Sequence, residues 1–262
     1  MTTPELYQPV EGDYFPAAPR VSIPQHPLLL STILHLLPGV VFLAFWFLVA
    51  PLVQRWGLPV AIAGSLAILF GQLPLVLGIL LYQSRKQTGR FSLQDVIAYR
   101  RPVPLWQYLI FVPLLCIWYF QASTIWTGVQ NDLFTSLPWL PRWLENPLPF
   151  IDQGPYSPLV MTITLGVALF SSGLIAPIME ELYFRGFLLP RIDRLGVWAV
   201  LLNVSLFAFH HLWTPLVNPG RILAWFPIIF LVWRKQNLYI GLCVHLITNL
   251  MGNGLFVLLA ML

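Results

Sequence analysis

Charged residues are scarce in this sequence. They make up 9% of its 262 residues, against about a quarter in an ordinary soluble domain. With 58% of residues hydrophobic, that scarcity excludes a water-soluble globule as the main body of the chain. Cysteine is sparse as well. Cys116 and Cys243 both fall inside apolar runs, which implies neither a disulfide framework nor a cysteine-type zinc site. No glycine-rich phosphate loop, tandem repeat or basic cluster interleaved with aromatics occurs, so no nucleic-acid partner is expected. The net charge of +4 comes from short basic clusters between apolar runs and reads as membrane topology.

What the sequence does contain is a series of seven apolar stretches, at about Leu28 to Val53, Val60 to Tyr82, Leu105 to Ile125, Met161 to Leu189, Gly196 to Trp213, Ile222 to Trp233 and Leu238 to Leu262. The sixth is short, since a clean crossing takes about 17 to 25 residues. The expected fold is all-α: a polytopic transmembrane helix bundle of about seven membrane helices, with the active site in the C-terminal ones. Residues 1–27 are polar and proline-rich, without the basic start and small-residue cleavage site of a signal peptide, and read as a soluble tail. Residues 28–157 form the N-terminal transmembrane helices, and residues 158–262 carry the chemistry.

With a cytoplasmic N-terminus, the inside loops hold Arg85, Lys86, Arg90, Arg100, Arg101, Arg191, Arg194, Arg234 and Lys235, and the outside loops only Arg55, Arg142 and Arg221. That asymmetry is the positive-inside pattern. The long outside loop around residues 126–157, with Asp132, Glu145 and Asp152, is expected along the interface as a lid or connector. Trp56, Trp106, Trp126 and Trp213 fall at expected helix ends, as an aromatic belt requires. The chain reads as a multi-pass integral protein surrounded by membrane lipids, in a bacterial inner membrane or an organelle membrane such as a thylakoid.

Glu180, Glu181 and Arg185 interrupt the fourth run. Insertion scales charge about 2.5 to 3.5 kcal/mol for a charged residue at a helix centre, so charges at that depth point to function. Glu181 and Arg185 are four apart, the spacing at which a glutamate meets a basic partner one turn on. Glu180, turned by about 100°, is left without a partner of its own and is the candidate proton acceptor near neutral pH. Pro177, one turn earlier, is expected to kink the helix.

Two further pairs have the same spacing: Phe207 with His211, and His245 with Asn249. If the chain turns at Pro190, counting at about 1.5 Å per residue puts Glu180, His211 and His245 in one band about 10 Å deep. His210 is expected to point away from His211, and His35, in the first run, reads as structural or interfacial. Two histidines and a carboxylate from three helices match the ligands of a hydrolytic metal site, and could equally hold a water for direct attack. Glu180, His211 and His245 are thus the ligands if a divalent metal such as zinc is bound. Asn249 would offer its amide to the oxyanion formed when a peptide carbonyl is attacked.

Glu180-Glu181-Leu182-Tyr183-Phe184-Arg185-Gly186, Phe207-Ala208-Phe209-His210-His211 and His245-Leu246-Ile247-Thr248-Asn249 resemble the three successive motifs of the CPBP family, which groups type II CAAX prenyl endopeptidases with bacteriocin-processing and bacteriocin-immunity proteins. The resemblance covers about residues 160 to 255. It implies that Glu180 is the catalytic base, supported by Glu181 and Arg185, and that His211, His245 and Asn249 complete the site. It also implies an intramembrane protease domain over residues 158–262, acting on a membrane-associated or lipid-modified, CAAX-like protein or peptide. The alternative is an inactive scaffold or immunity protein of the same fold that binds a protein partner or lipid. A proton-relay transporter is disfavoured, since the two halves show no inverted repeat.

Overall fold

The computed structural model describes residues 23–141 and 154–261, with side chains through Gly252. Most of the N-terminal tail, and Arg142, Glu145 and Asp152 of the long loop, lie outside the described residues. Among those described there are seven helices and no strand: α1 (Leu28–Arg55), α2 (Ala61–Thr88), α3 (Leu105–Ser136), α4 (Pro158–Leu195), α5 (Val197–His210), α6 (Asn218–Lys235) and α7 (Leu238–Met261). Five of them are long and apolar enough to cross a membrane, counting α6 with the turn that leads into it from Pro215. Their outward faces are as apolar as their inner ones. Leu29, Phe47 and Leu48 of α1, Leu109 and Ile117 of α3, and Leu159 and Ile163 of α4 are all exposed, which suits lipid as the solvent and not water.

The helix ends follow from local chemistry. Pro27 and Pro104 precede α1 and α3. Gly89 closes α2 with φ 76° and Gln236 ends α6, both in the left-handed conformation that commonly stops a helix, and Gly196 closes α4 with φ 60°. The turn after α4 therefore falls at Gly196 and not at Pro190. Pro190 lies inside α4, in its final 3-10 stretch Leu189–Leu195, and the Gly186 carbonyl one turn back, which proline cannot reach with an N–H, accepts from Ala98 instead.

Three further boundaries differ from expectation. α3 runs on to Ser136, so residues 126–136 are helix and Trp126 lies within it, away from its ends. α5 stops after 14 residues at His210, about 21 Å, too short for a hydrocarbon core of about 30 Å. α6 starts earlier, at Asn218, because Pro219 is accommodated in its first turn.

Lipid tails are as apolar as leucine, so the helices must be held by close packing and hydrogen bonds. Proline supplies some of the acceptors. Pro38 cannot donate to the Leu34 carbonyl one turn back, and the Tyr183 hydroxyl of α4 takes that carbonyl at 2.9 Å. Pro227 likewise frees the Leu223 carbonyl of α6, which accepts from Trp118 Nε1 of α3 at 3.3 Å. Small residues allow the close approaches. Gly39 of α1 lies against the His210 carbonyl, and Gly220 of α6 against the Trp126 ring.

α4 is the hub. Tyr183, Phe184, Phe187 and Leu188 are completely buried against Val200, Val204 and Phe207 of α5, Ile228, Ile229 and Val232 of α6, and Ile240 and Val244 of α7. Its polar backbone at one end is closed by the connection between α2 and α3. The Ala98 N–H donates to Gly186 O at 2.8 Å, and Asp193 accepts from the Tyr99 hydroxyl at 3.1 Å and from Trp233 Nε1 at 2.5 Å. Burial and the Asp193 carboxylate hold the Tyr99 phenol above its ordinary range, so it stays a donor. At the same end the His26 N–H donates to Arg191 O at 2.8 Å and Gln25 to Pro190 O at 2.9 Å, which satisfies carbonyls that the end of α4 leaves over.

Candidate active site

Glu180 sits where α4 stops being regular. Leu169–Ile175 before it and Glu181–Leu188 after it are π-helical, with Ala176–Glu180 as a short α-helical link. Such wide turns are rare and cluster at functional sites. Pro177 lies in the link, so the expected distortion takes the form of altered helical winding around Pro177. Glu180, Glu181 and Arg185 are all buried, Glu181 and Arg185 to 0% exposure, and burial of three charges requires that each be met by a neighbour.

Arg185 is met by Glu181 and by aromatic rings. Its Nη1 lies 3.4 Å from Glu181 Oε1, at ion-pair distance, and its guanidinium carbon lies 3.8 Å from the centre of the Phe207 ring and 5.2 Å from that of Trp225. Cation–π attraction is strongest in such desolvated places. Glu181 Oε1 is shared with His245, whose Nδ1 lies 2.9 Å away. A carboxylate accepts only, so Nδ1 carries the proton and Nε2 keeps its lone pair. That Nε2 faces Glu180 Oε2 at 3.6 Å.

The second histidine side comes from the end of α5. His210 Nδ1 lies 2.6 Å, and His211 Nδ1 3.0 Å, from the same Phe207 carbonyl, one of the last-turn acceptors that a helix end leaves without an N–H. Both rings therefore donate from Nδ1 and keep Nε2 basic, as the outer hydrogen bonds of metal-binding histidines usually arrange. His210 Nε2 stands 3.7 Å from Glu180 Oε1 and makes no hydrogen bond to a described group. His210 thus does not turn away from His211. Their ring centres are 3.9 Å apart, because the chain leaves the helix at His211 and both side chains fan out from its end. The carboxylate of Glu180 lies between two imidazoles, at gaps too long for direct hydrogen bonds, which a small ion could bridge and a water could share from one side.

Glu180, His210 and His211 each offer a ligand atom, all within 4.8 Å of one another. The expected metal set was Glu180, His211 and His245; the structure groups Glu180 with both neighbouring histidines and brings His245 to its other oxygen. Imidazole nitrogen and carboxylate oxygen suit zinc, and the buried His210 Nε2 without a donor is in keeping with a bound cation. Asn249 lies one turn from His245 on α7 and donates from Nδ2 to the Ser172 carbonyl in the first π stretch at 3.1 Å. His35 is a structural link. It is bonded to the Ser31 carbonyl one turn back, at 2.6 Å, and to Asn203 of α5 at 3.0 Å, while Asn203 donates to the Phe184 carbonyl at 2.9 Å.

Three motif segments distant in sequence thus converge on one buried carboxylate. Residues 162–251 match the family model of the Rce1-like type II CAAX prenyl endopeptidases. The match spans about a third of the chain, is consistent with the CPBP family, and includes every residue of the site from Glu180 to Asn249. It implies an integral membrane protease of the CAAX type. No curated protein and no solved structure shows a significant match to the chain.

Around the site lie residues that motif spacing does not reveal. Trp225 of α6 packs its ring 4.3 Å from that of His245 and 5.6 Å from that of Tyr119 on α3. Trp213 lies 5.1 Å from the His211 ring. Arg221, which the charge pattern places in an outside loop, is in the first turn of α6 and is bonded to Thr214, three residues after His211. The one available signal was the four-residue spacing of Arg221 and Trp225 in a largely apolar stretch.

Proposed function

We propose that this chain is an intramembrane endopeptidase that hydrolyses a peptide bond of a membrane-associated or lipid-modified, CAAX-like protein by means of a water activated by Glu180. The carrying observation is the Glu180 carboxylate set 3.7 Å from His210 Nε2 and 3.6 Å from His245 Nε2 in a buried, aromatic-walled site. A water bonded to Glu180 from beside these gaps is oriented by imidazole nitrogens and loses its proton to Glu180. The oxygen attacks the scissile carbonyl, and Glu180 passes the proton to the departing amine. Glu181, backed by Arg185, keeps His245 in the tautomer that points Nε2 at Glu180. Asn249, anchored on Ser172, is the proposed amide donor for the oxyanion. Glu180, His210 and His211 would hold a divalent cation such as zinc, which when bound lowers the pKa of a water and polarises a carbonyl.

The N-terminus faces the cytoplasm in this reading, following the lysine and arginine distribution. The test is cleavage of an S-farnesylated peptide ending three residues after the modified cysteine, by purified protein in lipid nanodiscs, with products read by mass spectrometry. Release of the C-terminal tripeptide is expected. An intact peptide, together with a protein partner that co-purifies stoichiometrically, would establish the scaffold instead.

A further inference from the structure

Arg221 lies one helical turn before Trp225, and residues four apart share a helix face. Since the Trp225 ring covers His245, the Arg221 side chain stands on the side of α6 turned toward the site. Hydrogen bonds hold it there. Nη1 donates to Asn218 Oδ1 at 2.5 Å and Nη2 to Thr214 Oγ1 at 3.3 Å, while Thr214 is bonded through its own hydroxyl and N–H to the His211 carbonyl. The guanidinium is thereby tied to the segment that carries His211, and its charge acts on Glu180, His210, His211 and Tyr119.

Arg221 is half-buried, yet among the described residues no carboxylate lies within ion-pair distance of it. Two of its five N–H donors are engaged in orienting the group. The others make no hydrogen bond to a described group, in the first turn of a helix that is long and apolar enough to span a membrane. The planar fork of an arginine can hold a carboxylate by two parallel hydrogen bonds, which a lysine cannot.

We infer that Arg221 binds the C-terminal carboxylate of the substrate, and so confines cleavage to a peptide bond a few residues from a free carboxyl end. This rests on the endopeptidase reading above for the identity of the ligand. Arg221 acts as a specificity residue: it takes no part in the proton transfers of Glu180.

The experiment measures binding first, so that cleavage is read separately. Glu180→Gln protein in nanodiscs is titrated with a fluorescent S-farnesylated peptide carrying either a free C-terminal carboxylate or a C-terminal amide. The free acid is expected to bind about tenfold or more tightly, the value of one charge-assisted hydrogen-bonded pair. In Arg221→Gln the acid falls to the affinity of the amide, which itself does not change, and Arg221→Lys keeps part of the difference. Equal affinities on protein with Arg221 intact overturn the inference, and that comparison needs no further variant to fold. An equal loss for acid and amide in Arg221→Gln also overturns it, as does acid binding unaffected by the substitution. Acid-selective, Arg221-dependent binding without wild-type cleavage upholds the carboxylate site and overturns the endopeptidase reading.

Discussion

His245 stands between two carboxylates with different tasks. Glu181 fixes its proton on Nδ1 at 2.9 Å, while Glu180 faces the other nitrogen at 3.6 Å. The division of the Glu180-Glu181 pair was legible from spacing alone, because only Glu181 has a basic residue four positions on. Its sharing with His245 was not, since that contact joins residues 64 apart. Gly241 of α7 tests the arrangement. A Cβ there would come within 2.7 Å of Glu181 Oε2 and 2.9 Å of Val232 Cγ2, so Gly241→Ala should push the Glu181 carboxylate off His245. Loss of such a supporting hydrogen bond typically costs 10- to 100-fold in activity. Helix propensity alone would make the same change stabilising by about 1 kcal/mol. Wild-type turnover in Gly241→Ala, measured as kcat on the reporter peptide, would show that Glu181 does not orient His245.

At the scale of elements, the site depends on helices that end or change winding at particular points. The stop of α5 at His210 frees the Phe207 carbonyl to orient two imidazoles, and the π-helical stretches on either side of Glu180 set how the charges on α4 are displayed. Neither feature leaves a period in the sequence. Apolar runs locate helices well but do not distinguish a 14-residue helix from a spanning one when the following loop, here His211 to Trp213, is itself apolar or aromatic. Proline is an ambiguous marker too: Pro219 sits in a first turn, and Pro190 stays within a helix because another segment takes the carbonyl it leaves over. Gly39 is the point where α1 meets the end of α5. A Cβ at Gly39 would collide with the His210 backbone carbonyl, and backbone cannot move aside as a flexible side chain can. Gly39→Ala should therefore destabilise the protein by about 1 to 3 kcal/mol, seen as a lower thermal midpoint in detergent, with reduced activity as His210 is displaced. An unchanged midpoint would contradict the close α1–α5 contact.

For the whole molecule, scarcity of charge identified a membrane bundle, and the few buried charges marked its working centre. α4, α5 and α7 deliver the acidic and imidazole groups, as three motifs in sequence order indicated. α3 and α6 add Tyr119, Trp225 and Arg221, which have no motif and are brought in only by packing. His210 and Arg221 depart from expectation for related reasons: ideal helical geometry does not hold for His210 and His211 where the helix stops, and an arginine that fits the topological charge pattern lies in the first turn of α6. Whether Glu180 is the base of a hydrolytic site built by these helices is decided by the turnover of Glu180→Gln in nanodiscs. The substitution keeps the shape and deletes the base, so turnover should fall about 100-fold or more with an unchanged thermal midpoint; wild-type turnover by the folded variant would remove Glu180 from that role.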